Sequence, residues 1–287
     1  MLPQGVRAEC EKKFGLSVIR ASFIGGGDIN EARLVEARQG LFFLKMNSKP
    51  GAIYMFEKEA AGLQLLNDSK AISVPRVLGA AQAEGYAFLV MEYIEEVERT
   101  QQFWERFGRG LAQLHRHTAN QFGLNHHNFI GSLPQTNHQH DTWSEFYILE
   151  RLEPQASMAV SEGGLWPGAA AGFDKLYKRI ADVCPREPPA LIHGDLWSGN
   201  FISAPKDTPV LIDPAVSYSH REMDLAMSQL FGGFSTSFYH AYEEDYPCQP
   251  GLEERIDMYQ LYYLLVHVNL FGGGYAKSVQ RIVERYA

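Results

Sequence analysis

The stretch Leu191-Ile192-His193-Gly194-Asp195-Leu196-Trp197-Ser198-Gly199-Asn200 puts an Asp and an Asn five positions apart, directly after the apolar approach Pro189-Ala190-Leu191-Ile192. The chain continues as Phe201-Ile202-Ser203, turns through Ala204-Pro205-Lys206-Asp207-Thr208-Pro209, and returns as Val210-Leu211-Ile212-Asp213. Two short apolar runs around a Pro/Asp turn read as an antiparallel hairpin. Asn200 opens its first strand and Asp213 closes its second, so pairing brings them to the same end. Together with Asp195 they gather two carboxylates and an amide oxygen into a small volume. Hard oxygen donors of this kind suit Mg²⁺, which takes one or two carboxylates and completes its shell with water and phosphate oxygens. The bland alternative is a turn Asp, a strand-start Asn and a helix-capping Asp with no shared task. It requires three polar residues to coincide with the hairpin ends by accident.

Upstream, Ala21-Ser22-Phe23-Ile24 leads into Gly25-Gly26-Gly27-Asp28-Ile29-Asn30, and Glu31 to Ala37 returns as a second β-like run. Strand, triple glycine, strand is the pattern of a loop folding over phosphates, because glycine lets backbone N–H groups approach closely. Glycine-rich hairpin turns are common, and the motif alone decides nothing. The next two elements sharpen it. Leu41-Phe42-Phe43-Leu44-Lys45-Met46 is an apolar strand holding one Lys, and a helix is expected over 52–67 with Phe56, Glu59, Leu63 and Leu66 on one face. A Glu in an apolar stripe needs a partner, and Lys45 is the nearest in sequence. A strand Lys paired with a helix Glu, then an Asp, an Asn five residues on and a second Asp, is the order of parts in protein kinases.

Ser73 to Leu78 and Tyr86 to Met91 read as two further strands, the second running into Glu92-Tyr93-Ile94 and the acidic Glu95-Glu96-Val97-Glu98. Strand-rich sequence gives way to helix-rich sequence here. We therefore divide the chain into an N-terminal nucleotide-binding lobe, residues 1–94, and a C-terminal helical catalytic and substrate lobe, residues 95–287. The linker backbone at Glu92, Tyr93 and Ile94 is placed to read an adenine edge. An ordinary strand-to-helix connection is the competing reading.

Composition bounds the function. The chain has 287 residues, 45% hydrophobic and 21% charged, enough for two lobes with cores of their own. A net charge of −8 gives a nucleic-acid partner no electrostatic support. No basic run suggests a membrane surface. The N-terminus lacks a signal-peptide core, and the apolar Leu261 to Phe271 is too short to span a bilayer. Three scattered cysteines without CxxC spacing imply neither disulfides nor zinc and fit a reducing cytoplasm. Oligomeric state is not readable.

In the second lobe a helix carries Phe103, Phe107, Leu111 and Leu114 on one face, with His115 and His117 at its dipole-favoured end. The loop from His126 to His140 is rich in histidine, but its spacings match no zinc pattern, and solvated histidines are expected. Asp224, among apolar neighbours, is expected to be buried and to accept backbone N–H bonds from the catalytic loop, a supporting role. Ile256 to Phe271 reads as a buried helix whose His267 and Asn269 are satisfied core groups.

The chain resembles the fructosamine (ketosamine) kinases, a branch of the aminoglycoside-phosphotransferase-like kinases. The resemblance rests on Gly25-Gly26-Gly27, Phe42 to Lys45, Met55 to Glu59, Val90-Met91-Glu92-Tyr93, Ile130 to Gln135, His193 to Asn200 with its Trp197, Ile212 to Ala215, Phe231 to Phe234 and Tyr259 to Tyr262. It implies an α+β, two-lobed protein-kinase-like fold with a small β-rich N-lobe and a larger helical C-lobe. It further implies ATP- and Mg²⁺-dependent phosphorylation of a sugar hydroxyl, O3, on a free or protein-bound ketosamine, a step in deglycation repair. Carried over, Asp195 is the base, Asn200 and Asp213 hold Mg²⁺, and Lys45 with Glu59 orients the phosphates. Gly25, Gly26 and Gly27 cover those phosphates, and Glu92, Tyr93 and Ile94 line the adenine site. Trp197 either walls the sugar or packs the loop, and His193 supports the loop. Another hydroxylated amine, of the aminoglycoside or choline type, is the alternative substrate. Some relatives carry a Cys in the glycine loop as a proposed redox switch; here that stretch reads Gly27-Asp28-Ile29-Asn30. Pro214 stands where protein kinases place the Phe of Asp-Phe-Gly, so their in/out switching is not expected.

Overall fold

The computed structural model describes residues 2–25 and 30–287. A first helix, α1 (Gln4–Phe14), is ended by Gly15 in the left-handed region. It precedes a five-stranded antiparallel sheet built from β1 (Val18–Phe23), β2 (Glu31–Ala37), β3 (Gly40–Asn47), β4 (Val77–Ala83) and β5 (Tyr86–Glu92). Strand order is β1-β2-β3-β5-β4, with helix α2 (Ala52–Ser69) inserted between β3 and β4. Period-2 alternation sorts the side chains of β5. Phe88 and Val90 join Val6, Cys10, Phe42 and Leu44 on the α1 side. Leu89 and Met91 join Phe56 and Leu63 under α2. Glu84 and Gly85, both at positive φ, make the tight β4–β5 turn.

One expected strand is displaced. The run Ser73 to Leu78 yields only its last two residues to β4, which extends through Gly79-Ala80-Ala81-Gln82-Ala83. Pro75 has no N–H to give a ladder, and the small residues that follow carry no strand signal. Ser73 instead bridges to Val210 of the catalytic hairpin, its carbonyl accepting from the Leu211 N–H at 2.9 Å.

After Glu92 the chain turns helical. Helix α3 (Gln101–His115) is capped by Thr100, whose side chain accepts from the Phe103 N–H. A small hairpin of β6 (Asn128–Ile130) and β7 (Leu133–Gln135) follows. Next come α4 (Trp143–Phe146), a π-helical segment (Tyr147–Leu152), α5 (Glu153–Ser161), α6 (Ala169–Tyr177) and α7 (Ile180–Val183). Strand β8 (Ala190–Ile192) leads into the catalytic hairpin of β9 (Phe201–Ala204) and β10 (Thr208–Leu211). Strand β11 (Ser217–Ser219) returns beside β8. Helices α8 (Glu222–Leu230), α9 (Thr236–Asp245), α10 (Leu252–Phe271) and α11 (Ala276–Tyr286) complete the lobe. The larger core surrounds α10. A second, aromatic core of Phe103, Phe107, Phe201 and Phe238 lies where α3 and α9 meet the hairpin, with Phe107 and Phe201 at 4.8 Å. The architecture is the α+β, two-lobed, kinase-like one. No helix of the described residues is long and apolar enough to cross a membrane.

Candidate active site

Asp195 sits at the mouth of the β8–β9 loop. Its backbone N–H donates to His193 Nδ1 at 3.2 Å, while His193 Nε2 lies 2.9 Å from the Ile212 carbonyl. One tautomer satisfies both: Nδ1 accepts and Nε2–H donates. Burial also pulls the His193 pKa down, keeping the ring neutral. Asp224, fully buried in the first turn of α8, accepts the His193 N–H at 2.7 Å and the Gly194 N–H at 2.8 Å. Gly194 has φ +84°, and a Cβ there would lie 2.1 Å from the Ala215 carbonyl oxygen, so only glycine fits.

The hairpin brings the expected polar groups to one end. The Ile212 N–H donates to the Asn200 carbonyl at 3.0 Å, fixing Asn200 beside the residue before Asp213. Asn200 Nδ2 donates to the Asp195 carbonyl at 2.9 Å and to Asp195 Oδ2 at 2.8 Å, so its amide nitrogen is turned toward Asp195 and its Oδ1 away from it. Asp213 takes φ +55°, the left-handed region, with its side chain partly exposed. Burial pushes the Asp195 carboxyl up to about 7 against the Asn200 hydrogen bond, and the charges of Asp213 and Asp224 add to the rise. Part of the Asp195 surface stays open to the cleft.

From the other lobe, Lys45 on β3 donates to Glu59 Oε1 at 2.7 Å and also contacts Asp213 Oδ1. Burial opposes the ammonium charge, but Asp213 and Glu59 outweigh it, so Lys45 is held protonated. Burial pushes Glu59 upward against the pull of Lys45. The donor set fits Mg²⁺: oxygen atoms from one partly exposed carboxylate and one amide, with no cluster of three His, Cys, Asp or Glu among the described residues. Such a site relies on phosphate oxygens for the rest of the shell.

Of the remaining expected residues, Gly25 ends the described part of the glycine-rich loop, while Gly26 and Gly27 lie outside the described residues. At the lobe junction, the Glu92 N–H donates to the Arg76 carbonyl and the Tyr93 N–H to the Leu41 carbonyl. Glu92 also accepts the Arg76 N–H at 2.8 Å through its side chain. Trp197 is exposed at its outer face, and a Cβ on Gly199 would lie 2.4 Å from its ring, so the indole lies over Gly199. The ring thus packs on the loop and keeps one face exposed.

Several residues gain neighbours that the sequence did not suggest. His115, expected only to favour the helix dipole, is buried between Asp224 Oδ2 at 3.2 Å and the Tyr242 hydroxyl at 2.8 Å. Arg221 continues that chain, donating to Tyr242 and forking onto Glu187. Not all of the histidine-rich loop is solvated: His138 and His140 both reach the buried Glu150. His267 donates from Nδ1 to the Tyr263 carbonyl, and its ring stands among Phe231, Phe271 and Tyr275. The loop after Phe231 touches the catalytic loop, where Gly233 packs on Ser198. His267 meets Tyr263 and Phe271 at the four-residue spacing of α10, and no spacing rule signals the other pairings.

A two-lobed scaffold with a strand Lys–helix Glu pair facing an Asp/Asn/Asp constellation defines an ATP-dependent phosphotransferase. The fructosamine kinase family model matches residues 5–287, and the chain belongs to that family. It is 33% identical to the ketosamine-3-kinase of Mus musculus over 96% of this chain and 97% of the relative. It is 39% identical to the chloroplastic protein-ribulosamine 3-kinase of Oryza sativa subsp. indica, over 92% of this chain and 78% of the relative. A fructosamine-3-kinase-type protein of Thermobifida fusca superposes with a TM-score of 0.88 at 35% identity, covering 97% of each chain. An aminoglycoside phosphotransferase shares the fold alone, with a TM-score of 0.63 at 17% identity and 98% of this chain covered.

Proposed function

We propose that the protein transfers the γ-phosphoryl group of ATP to O3 of a ketosamine, a fructosamine or ribulosamine on a small amine or a protein lysine. In the step, the sugar oxygen bonds to phosphorus, the bond to the ADP oxygen breaks, and Asp195 takes the hydroxyl proton. Lys45, held by Glu59, is set to carry phosphate charge, and Asn200 and Asp213 would hold Mg²⁺, which when bound neutralises that charge. Glu92, Tyr93 and Ile94 would line the adenine site at the lobe boundary after residue 94, and Gly25 to Gly27 would cover the phosphates. Trp197 would wall the sugar. Three free cysteines support a reducing compartment, the cytoplasm, and release of the amine from the phosphorylated adduct fits deglycation.

One observation carries this reading. Asp195, its carboxyl pushed up to about 7 by burial, stands hydrogen-bonded to Asn200 in a loop held by Asp224, with Lys45 of the other lobe reaching the neighbouring Asp213. A base poised near the working pH is what proton abstraction from a hydroxyl requires. The test is a panel of hydroxylated amines with coupled ADP detection. ADP release with fructosyl- or ribulosyl-lysine, and not with aminoglycosides or choline, supports the proposal. The reverse selectivity moves the enzyme to the alternative substrate class.

A further inference from the structure

Against the segment that follows Asp213 lies a buried polar network that no catalytic role has absorbed. Gln135 donates through Nε2 to the Ala215 carbonyl at 3.1 Å and to Asn128 Oδ1 at 2.8 Å. Asn128 donates through Nδ2 to the Val216 carbonyl at 2.9 Å. Asn137 donates to the same Asn128 Oδ1 at 2.8 Å. Both ends of the network are anchored. Tyr262 of α10 donates its hydroxyl to Gln135 Oε1 at 2.7 Å, and Arg151 donates to Asn137 Oδ1 at 2.7 Å. Asn128, Gln135, Asn137, Arg151 and Tyr262 are all buried.

The direction of these bonds is forced. A guanidinium only donates, so Arg151 turns the oxygen of Asn137 toward itself and the Asn137 NH₂ toward Asn128. That NH₂ claims Asn128 Oδ1, and the Asn128 NH₂ is left facing Val216. Gln135 faces two acceptors, Asn128 Oδ1 and the Ala215 carbonyl, so its NH₂ points at them and its Oε1 is left to accept the Tyr262 hydroxyl. The result is two side-chain donors aimed at two consecutive carbonyls, those of Ala215 and Val216, between Pro214 and the start of β11.

The gripped segment is the one whose placement matters. Asp213 is a non-glycine residue at positive φ, a conformation that surrounding contacts must hold. The Ala215 N–H is bonded to the His193 carbonyl at 2.9 Å, so Ala215 is held from the catalytic loop on one side and from Gln135 on the other. The same hairpin touches α2, the helix of Glu59, through Phe129 edge-on to Tyr54 at 5.8 Å. Gly62 of α2 leaves room for Pro214 and Val216.

We propose that Asn128 and Gln135 are positioning residues, which fix the metal-binding carboxylate of Asp213 by gripping the carbonyls of Ala215 and Val216. This rests on the reading of Asp213 as a metal ligand. The test measures Mn²⁺ affinity by electron paramagnetic resonance in the presence of a non-hydrolysable ATP analogue, alongside steady-state kinetics and thermal unfolding without nucleotide. Gln135→Met keeps the shape and removes the donor; Tyr262→Phe removes only the hydroxyl that anchors the Gln135 oxygen. Removing outer partners of a metal ligand weakens metal affinity by about 10- to 100-fold. We expect about tenfold for Gln135→Met and about threefold for Tyr262→Phe. Ketosamine KM should be unchanged and kcat should fall, at equal folded concentration. If Gln135→Met does not fold, Tyr262→Phe decides. Mn²⁺ affinity within 1.5-fold of wild type in the folded variants overturns the proposal. Asp213→Asn separates the two levels: lost affinity there with none lost in the other two overturns only the positioning, whereas retained affinity in Asp213→Asn overturns the ligand reading and the positioning with it.

Discussion

The two halves of the cleft are held in different ways. The catalytic half is anchored by the backbone: Asp224 accepts two consecutive N–H groups, His193 bridges Asp195 to Ile212, and Asn200 ties both to the hairpin. The phosphate-handling half depends on one ammonium shared between Glu59 and Asp213. Neutral and charge-assisted bonds to fixed backbone preorganise a base regardless of what occupies the cleft. A lysine bridging to a carboxylate across the cleft can instead exchange that partner for phosphate. On the proposed roles, rigidity belongs to the Asp195 side and adaptability to the Lys45 side.

Substitutions can break this contrast, and the largest effect is expected at the base. Asp195→Asn should lower kcat by about 10³-fold or more while the protein still binds ATP, measured by ADP release and by calorimetric titration. Lys45→Ala should reduce kcat/KM for ATP by about 100-fold, roughly 2.7 kcal/mol of transition-state stabilisation. It should shift the unfolding midpoint less than loss of Asp224 does, because Glu59, which burial already pushes toward its neutral form, can take up a proton once Lys45 is gone. Asp224→Ala should do the opposite, leaving two buried N–H groups and His115 without an acceptor. A stability loss of about 3 kcal/mol by urea unfolding is expected. If Lys45→Ala proves the more destabilising of the two, the contrast is wrong.

The smallest effect is the pH dependence. With Asp195 near 7 and only its ionised form able to take a proton, kcat/KM should fall about tenfold per pH unit below pH 7. The sign for stability is opposite. Between about pH 4 and 7 the folded state keeps a proton that the unfolded carboxyl has released, so stability falls as pH rises through that window. Asp195→Asn should flatten that slope. The exposed part of Asp195 reduces its size.

Legibility in the sequence followed the range of the interactions. The catalytic hairpin was readable because Asn200 and Asp213 sit at strand ends that local pairing must juxtapose, and Asn200 and Ile212 do meet. The Lys45–Glu59 contact was readable because a charge in an apolar stripe needs a partner. Strand β4 was misplaced because Gly79, Ala80 and Ala81 bury a backbone without advertising it. His115 read as a helix-end cation, yet its partners Asp224 and Tyr242 lie more than 100 residues downstream. Gln135 and Asn128 were mute for the same reason, since what they hold is backbone carbonyl, which has no sequence signature. Long-range polar partnerships to main chain are the part that spacing cannot encode.

The most direct test of the account follows phosphoryl transfer from ATP to ribulosyl- or fructosyl-lysine by ³¹P NMR, with wild type and Asp195→Asn at equal folded concentration. A sugar-phosphate signal growing with wild type and absent from Asp195→Asn is the expected result. The same signal appearing at a comparable rate in Asp195→Asn would contradict the assignment of Asp195 as the base.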